Sequence, residues 1–294
     1  MNKREYDLAF SLGWACGCSQ ALRAAGCQFA SYPIDWLGSP GLAYSVDVVC
    51  NDFDHWLDAD DLRLIDVSHD AGFCTRMYRN DRTGLGFSHE FSDFQPFAET
   101  YPKVKASYDR RVARFLEALR SSGRILAVYV ERASRACLPM AKLTAEVDRL
   151  RRKCASSKVD LLYFYEDRSL AEPKIVSDAD GITVVAADYQ QLEDGKVTQY
   201  LNVETLARFL REHISVVDRR TDEERRKFES DCRRTASGRW GYDKSAFRRW
   251  LNQRAYKLYR HLERVLRRKG LIHPRRQIEF WEETWQRICE RRGR

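Results

Sequence analysis

An α/β fold, a layered and largely parallel sheet flanked by helices with a basic helical region at the C-terminal end, follows from three observations on this sequence. Strand-like runs alternate with helix-period segments from Tyr6 to Val216. The runs Ile125 to Val130, Val159 to Tyr165 and Ile182 to Ala187 are almost wholly apolar, as strands covered on both faces are. Charge also divides near residue 218: positions 219–294 hold 24 Lys and Arg against 11 Asp and Glu, a net +13, whereas positions 1–218 hold 27 against 32, a net −5. The expected organisation is therefore an α/β domain over 1–218 and a basic helical cap or tail over 219–294.

The elements follow in order. Tyr6 to Leu12 has strand character, Gly13 breaks it, and a helical pattern begins near Cys16, with Gly26 as its stop. Gly41 to Asp58 reads as a helix, with Leu42, Val46, Val49 and Phe53 on its apolar side. Leu62 to Val67 is a strand, and Phe73 to Phe91 is a hairpin with His89 at its far end. Pro96 and Pro102 bracket a loop before an amphipathic helix, Val104 to Leu119. Helices over Leu138 to Ala155 and Thr205 to Val216 complete the α/β part. Beyond it, Thr221 to Cys232, Asp243 to Lys269 and Arg275 to Arg291 read as helices.

Composition narrows the class. With 44% hydrophobic and 32% charged residues in 294, the chain can bury a sizeable core. No apolar run approaches a membrane span, and the opening MNKREYDLAF lacks the apolar centre of a signal peptide. Nine scattered cysteines then read as reduced thiols of a cytoplasmic protein, not as a disulfide framework.

Chemistry concentrates between Tyr6 and Trp36. A thiol at a helix N-terminus, next to unpaired backbone N–H groups, loses its proton more easily than a buried one and becomes a nucleophile. Cys16 and Cys18 both stand near that position, and the sequence leaves open which is reactive. A Cys-x-Cys metal site would need two further ligands, and no compact Cys/His pair supplies them, so no metal or cofactor is expected. Backbone N–H groups around Trp14 to Gly17 are the natural donors to an oxyanion if Cys16 attacks a carbonyl.

The run Ser11-Leu12-Gly13, then Cys16, then Pro33-Ile34-Asp35-Trp36, Phe87-Ser88-His89 and Tyr108-Asp109-Arg110-Arg111 resembles a bacterial family described as papain-like cysteine peptidases, of unassigned function. Ile34 stands where the family has Phe. The resemblance implies Cys16 as nucleophile, His89 as the imidazole that holds the thiolate and protonates a leaving group, and Asp35 as the acid that orients that imidazole. Trp14, Gly17, Arg110 and Arg111 become candidate substrate-binding residues, the two arginines for an acidic group. A papain-type fold pairs a helical lobe with a barrel-like lobe, whereas the strand–helix alternation of this chain predicts a layered sheet with the thiol at the carboxyl end of its strands.

The functional expectation is a cysteine-nucleophile hydrolase or acyl transferase of unknown substrate. The alternative is a non-peptidase α/β protein of surface-polysaccharide metabolism, or one that binds an anionic polymer or membrane surface through its basic tail. In the second reading Arg249, Lys257, Arg260 and Arg264 contact the anion, with Trp250, Tyr256 and Tyr259 interleaved. A helical cap with solvated charge is the plainer account of the same stripe.

Overall fold

The apolar runs become the central strands of one sheet in a computed structural model that describes residues 3–68, 75–92, 97–133, 135–155, 157–193, 196–236 and 265. In chain order the elements are β1 (Arg4–Tyr6), β2 (Leu8–Ser11), α1 (Gly17–Ala24), a 3-10 turn (Pro33–Trp36), β3 (Leu37–Gly38), α2 (Leu42–Cys50), a second 3-10 turn (Ala59–Asp61), β4 (Leu62–Ser68), β5 (Thr75–Asn80), β6 (Gly86–Ser92) and α3 (Phe97–Ser121). Then come β7 (Arg124–Val130), α4 (Met140–Lys153), β8 (Lys158–Glu166), β9 (Lys174–Ala179), β10 (Ile182–Ala187), β11 (Gln190–Glu193), β12 (Lys196–Leu201), α5 (Val203–His213), β13 (Ile214–Val216) and α6 (Asp222–Ala236). Among the described residues no helix is long and apolar enough to cross a membrane.

Two units are distinguishable. The first comprises Met1–Arg63, Arg79–Phe87 and Lys105–Thr221, the second Leu64–Tyr78, Ser88–Val104 and Asp222–Arg294. In the first unit the sheet order is β2-β7-β8-β10-β9. The first four strands are parallel, which explains their continuous apolar character, since helices cover both faces. On one face Ala9, Leu126, Val128, Leu162 and Val185 pack with Leu22 of α1 and Leu206 and Leu210 of α5. The alternate positions face the other way, where Leu143, Val147 and Leu150 of α4 are buried and α4 packs on β8 and β10.

Several expectations are corrected by local chemistry. The strand Tyr6 to Leu12 is split at Asp7, whose Oδ2 accepts the N–H groups of Gly123 and Arg124 at 3.0 and 2.9 Å. The helix expected over Gly41 to Asp58 ends at Cys50, because Asp52, Phe53 and His55 take left-handed φ of 53°, 62° and 55°. That turn drives Phe53 and Trp56 into the core. The loop expected between Pro96 and Pro102 is not a loop throughout: α3 starts at Phe97, and Pro102 removes one amide donor from its second turn. The helix expected to run to Val216 stops at His213, and Ile214–Val216 pairs in parallel with Arg4–Tyr6 as β13 on β1. The antiparallel edge strand β9 and the hairpin β11–β12 are additional to the sequence reading. β9 joins β10 through Asp180 and Gly181, both at positive φ, as a tight two-residue hairpin requires.

The second unit carries its own aromatic cluster. Tyr78 and Phe91 approach to 4.7 Å between ring centroids, and Phe97 stacks on Phe91 and on Tyr101. Its helix α6 has Asp222, Glu223 and Glu224 in the first turn, where the helix dipole favours negative charge. Apart from residue 265, the helices expected over 243–269 and 275–291, with Arg249, Lys257, Arg260 and Arg264, lie outside the described residues.

Phe115 of α3 is an aromatic hub of the first unit, with centroids at 4.9 Å from Phe10, 5.2 Å from Tyr32 and 5.7 Å from Phe53. Truncating it leaves three rings without a common partner. Phe115→Ala is expected to cost about 3–5 kcal/mol in urea denaturation, whereas Arg120→Ala on the exposed side of the same helix should fall within about 0.5 kcal/mol of the parent.

Candidate active site

The strand–turn–helix at the start of the chain depends on close approach. Ser11 Oγ accepts the Gly13 N–H at 3.1 Å, and a Cβ on Gly13 would stand 2.5 Å from that of Cys18. Gly17 is under a similar constraint, since a Cβ there would meet the Leu201 side chain at 2.7 Å. Both glycines let α1 begin directly above the end of β2, with Cys16 as its N-cap residue. No side chain caps the helix and no acid stands in its first turn. The carboxyl end of a parallel sheet is where such folds place ligands, and Cys16 lies there, half-buried.

Two residues on, Cys18 is 1% exposed, and its Sγ donates to the Val128 carbonyl at 3.5 Å. Burial pushes its thiol up to about 12, against the pull of Ser11 and the Gly13 amide. Cys18 is therefore a core residue that stays protonated at neutral pH.

The Pro33–Trp36 turn holds α1 in place. Asp35 is wholly buried, and its Oδ2 accepts from Gln28 Nε2 at 2.7 Å, the Tyr32 N–H at 2.8 Å and Arg23 Nη2 at 3.1 Å. Burial pushes this carboxyl above the ordinary range, opposed by Arg23, the Tyr32 amide, Gln28 and Arg111. From α1, Ser19 Oγ donates to the Asp35 carbonyl at 2.8 Å and the Arg23 guanidinium lies 4.8 Å from the centre of the Trp36 ring. The Ser-Leu-Gly-x-x-Cys and Pro-x-Asp-Trp segments are thus one physical unit.

The other expected residues are placed as follows. Trp14 is half-buried; its carbonyl accepts the Ser39 N–H at 3.0 Å and its ring lies under the Arg132 guanidinium at 4.9 Å. Arg111 lies over the Tyr108 ring at 4.7 Å and acts on Asp35, while Arg110 is exposed on α3. His89 belongs to the second unit, exposed on β6, with its N–H donating to the Glu90 carboxylate at 3.0 Å. Among the described residues no group of three or more His, Cys, Asp or Glu could hold a metal ion.

One group escaped the sequence reading. Glu131 follows β7 at the carboxyl end and is buried; it accepts the Arg132 N–H at 2.9 Å and the Tyr163 hydroxyl at 3.2 Å, with Arg135 at 3.8 Å. The available signal was position: these residues directly follow the most strand-like run in the chain, where a parallel sheet presents its ligand-facing loops.

A family model described as putative papain-like cysteine peptidase (DUF1796) matches residues 7–159, more than half of the chain. The chain belongs to that family. The match begins beside β2 and ends in β8, so it takes in the Cys16 turn, the Asp35 network, the β5–β6 hairpin and the Glu131 loop. Comparison with curated proteins and with solved structures finds no match. In this family member the Asp35 network is a property of the folded scaffold, testable apart from activity. Asp35→Ala strands the Arg23, Gln28 and Tyr32 donors in the interior, and a loss of about 3–5 kcal/mol is expected in chemical denaturation. Asp35→Asn, which keeps an acceptor, should lose less.

Proposed function

We propose that the protein is a cysteine-nucleophile hydrolase or acyl transferase in which Cys16 attacks a carbonyl carbon. The observation that carries this reading is the contrast between two thiols two residues apart: Cys16 half-buried at an uncapped helix start, Cys18 sealed in the core. In the attack the thiolate sulfur forms a bond to the carbonyl carbon, whose oxygen takes up the negative charge. Backbone N–H groups at the start of α1, Gly17 among them, are suited to receive that charge. The leaving group departs with a proton supplied by an imidazole, and water or another acceptor then releases the acyl group from sulfur. His89 is assigned as that imidazole on its place in the sequence element Phe87-Ser88-His89. Asp35 serves the site by orienting the helix that carries Cys16.

Mapping of iodoacetamide-labelled peptides at neutral pH checks the assignment. Cys16 should react fastest, Cys18 should be the slowest of the described thiols, and His89→Ala should slow Cys16 by about tenfold or more. Protection of Cys16 together with indifference to His89→Ala would remove this reading.

Charge favours a second role for positions 219–294, whose net +13 suits an anionic polymer or membrane surface. Retention of the whole protein on heparin should weaken with salt, and Arg260→Glu combined with Arg264→Glu should lower the eluting salt concentration. A protein that ignores both heparin and anionic vesicles has no such role.

A further inference from the structure

The loop after β7 places cationic groups beside the Cys16 turn. Arg132 is exposed, and its guanidinium has no ion pair or hydrogen bond among the described residues; its one contact of note is the Trp14 ring, two residues before Cys16. Arg135 lies against Gly41, where a Cβ would meet its Nη1 at 3.1 Å, and it stands 3.8 Å from Glu131. The Glu131 carboxylate is already served by the Arg132 N–H and the Tyr163 hydroxyl. The loop therefore presents two cations against one carboxylate, a surplus of one positive charge.

Two buried donors near this loop have no acceptor among the described residues. They are the indole N–H of Trp14 and the hydroxyl of Tyr129, a residue 0% exposed on β7, two positions before Glu131 and stacked on Tyr163. Buried polar groups in folded proteins are almost always partnered, so orphaned donors mark a place where an acceptor belongs. A guanidinium stacked on an indole is also held flat and oriented, which suits it to grip a planar or tetrahedral oxyanion by two N–H groups at once.

We propose that Arg132, steadied by Trp14, anchors a negatively charged group of the substrate, a carboxylate or a phosphate, next to the bond that Cys16 attacks. The proposal rests on Cys16 being the nucleophile and adds the substrate class to it: an acyl compound bearing an oxyanion close to its reactive carbonyl. Arg135 contributes charge and Glu131 keeps the loop in register.

A pair of alkylating agents tests the two layers separately. Iodoacetamide is neutral and iodoacetate carries a carboxylate, so their rates at Cys16, each divided by the rate with N-acetylcysteine, report reactivity and anion preference. The normalised ratio of iodoacetate to iodoacetamide should be about tenfold in favour of the anion, the effect of one nearby unpaired cation. In Arg132→Gln the ratio should fall to near one. A ratio near one in the parent protein, with iodoacetamide reacting fast, overturns the subsite and spares the nucleophile. If Cys16 resists both agents, the nucleophile reading falls, and calorimetric titration with phosphate and with succinate decides the subsite. Binding of either that Arg132→Gln abolishes upholds it and tells phosphate from carboxylate. No heat from either in the parent protein overturns it.

Discussion

The buried carboxylate of Asp35 is the constraint on which the candidate site depends. Taking an acid out of water costs several kcal/mol, and here three donors converge on one oxygen to offset that cost. Two of the three, Arg23 from the last turn of α1 and Gln28 from the loop after it, tie the helix and its exit to the Pro33–Trp36 turn. The end of α1 is closed as firmly: Gly26, at φ 70°, donates to the Arg23 carbonyl, and the Cys27 N–H reaches the Leu22 carbonyl. A short helix so tethered along its length has little freedom left at its N-cap residue. That residue is Cys16.

The same packing that fixes Cys16 buries the thiol two residues on. Gly13 lets the backbone turn within contact of Cys18, which closes the sheet beneath and removes that thiol from water. Within one turn of helix the structure thus provides a half-buried thiol and a sealed one. The loop after β7 reaches the turn that carries Cys16, where Arg132 lies over the Trp14 ring.

What could be read in advance follows from how each signal arises. Continuous apolar runs such as Ile125 to Val130 exist because helices cover both faces of those strands, and burial of that kind is written in composition. The Cys16 turn was visible because Gly13 interrupts a strand just before a helical period. β9 was not, because its edge position leaves it solvent-exposed with Lys174 and Asp178, and it carries no apolar signature. Nor was the early end of α2, since the left-handed turn at Asp52, Phe53 and His55 is imposed by Phe53 and Trp56 entering the core. Arg132 and Glu131 read as ordinary loop charges until the sheet order is known. Only the neighbouring of β2 and β7 sets the Glu131 loop against the Cys16 turn.

The pairing of β1 with β13 has a consequence in time as well as in space. Arg4 finds its partner Ile214 some 210 residues later. Such a contact adds heavily to the mean sequence separation that slows folding, because a long loop must close before the contact gains anything. During synthesis the first strand is made about 10–40 seconds before its partner exists, at rates of about 5–20 residues per second. Until then β2 has its partner β7, while β1 is held only by side-chain ties such as the Tyr6 hydroxyl to Asp160 and Arg4 to Thr183. Completion of the first unit is therefore a late event, and it brings residue 217, where the Val217 N–H bonds the Tyr6 carbonyl, back beside the beginning of the chain. The chain thus returns at Val217 to the edge where it began, and β1 and β13 together close the first unit.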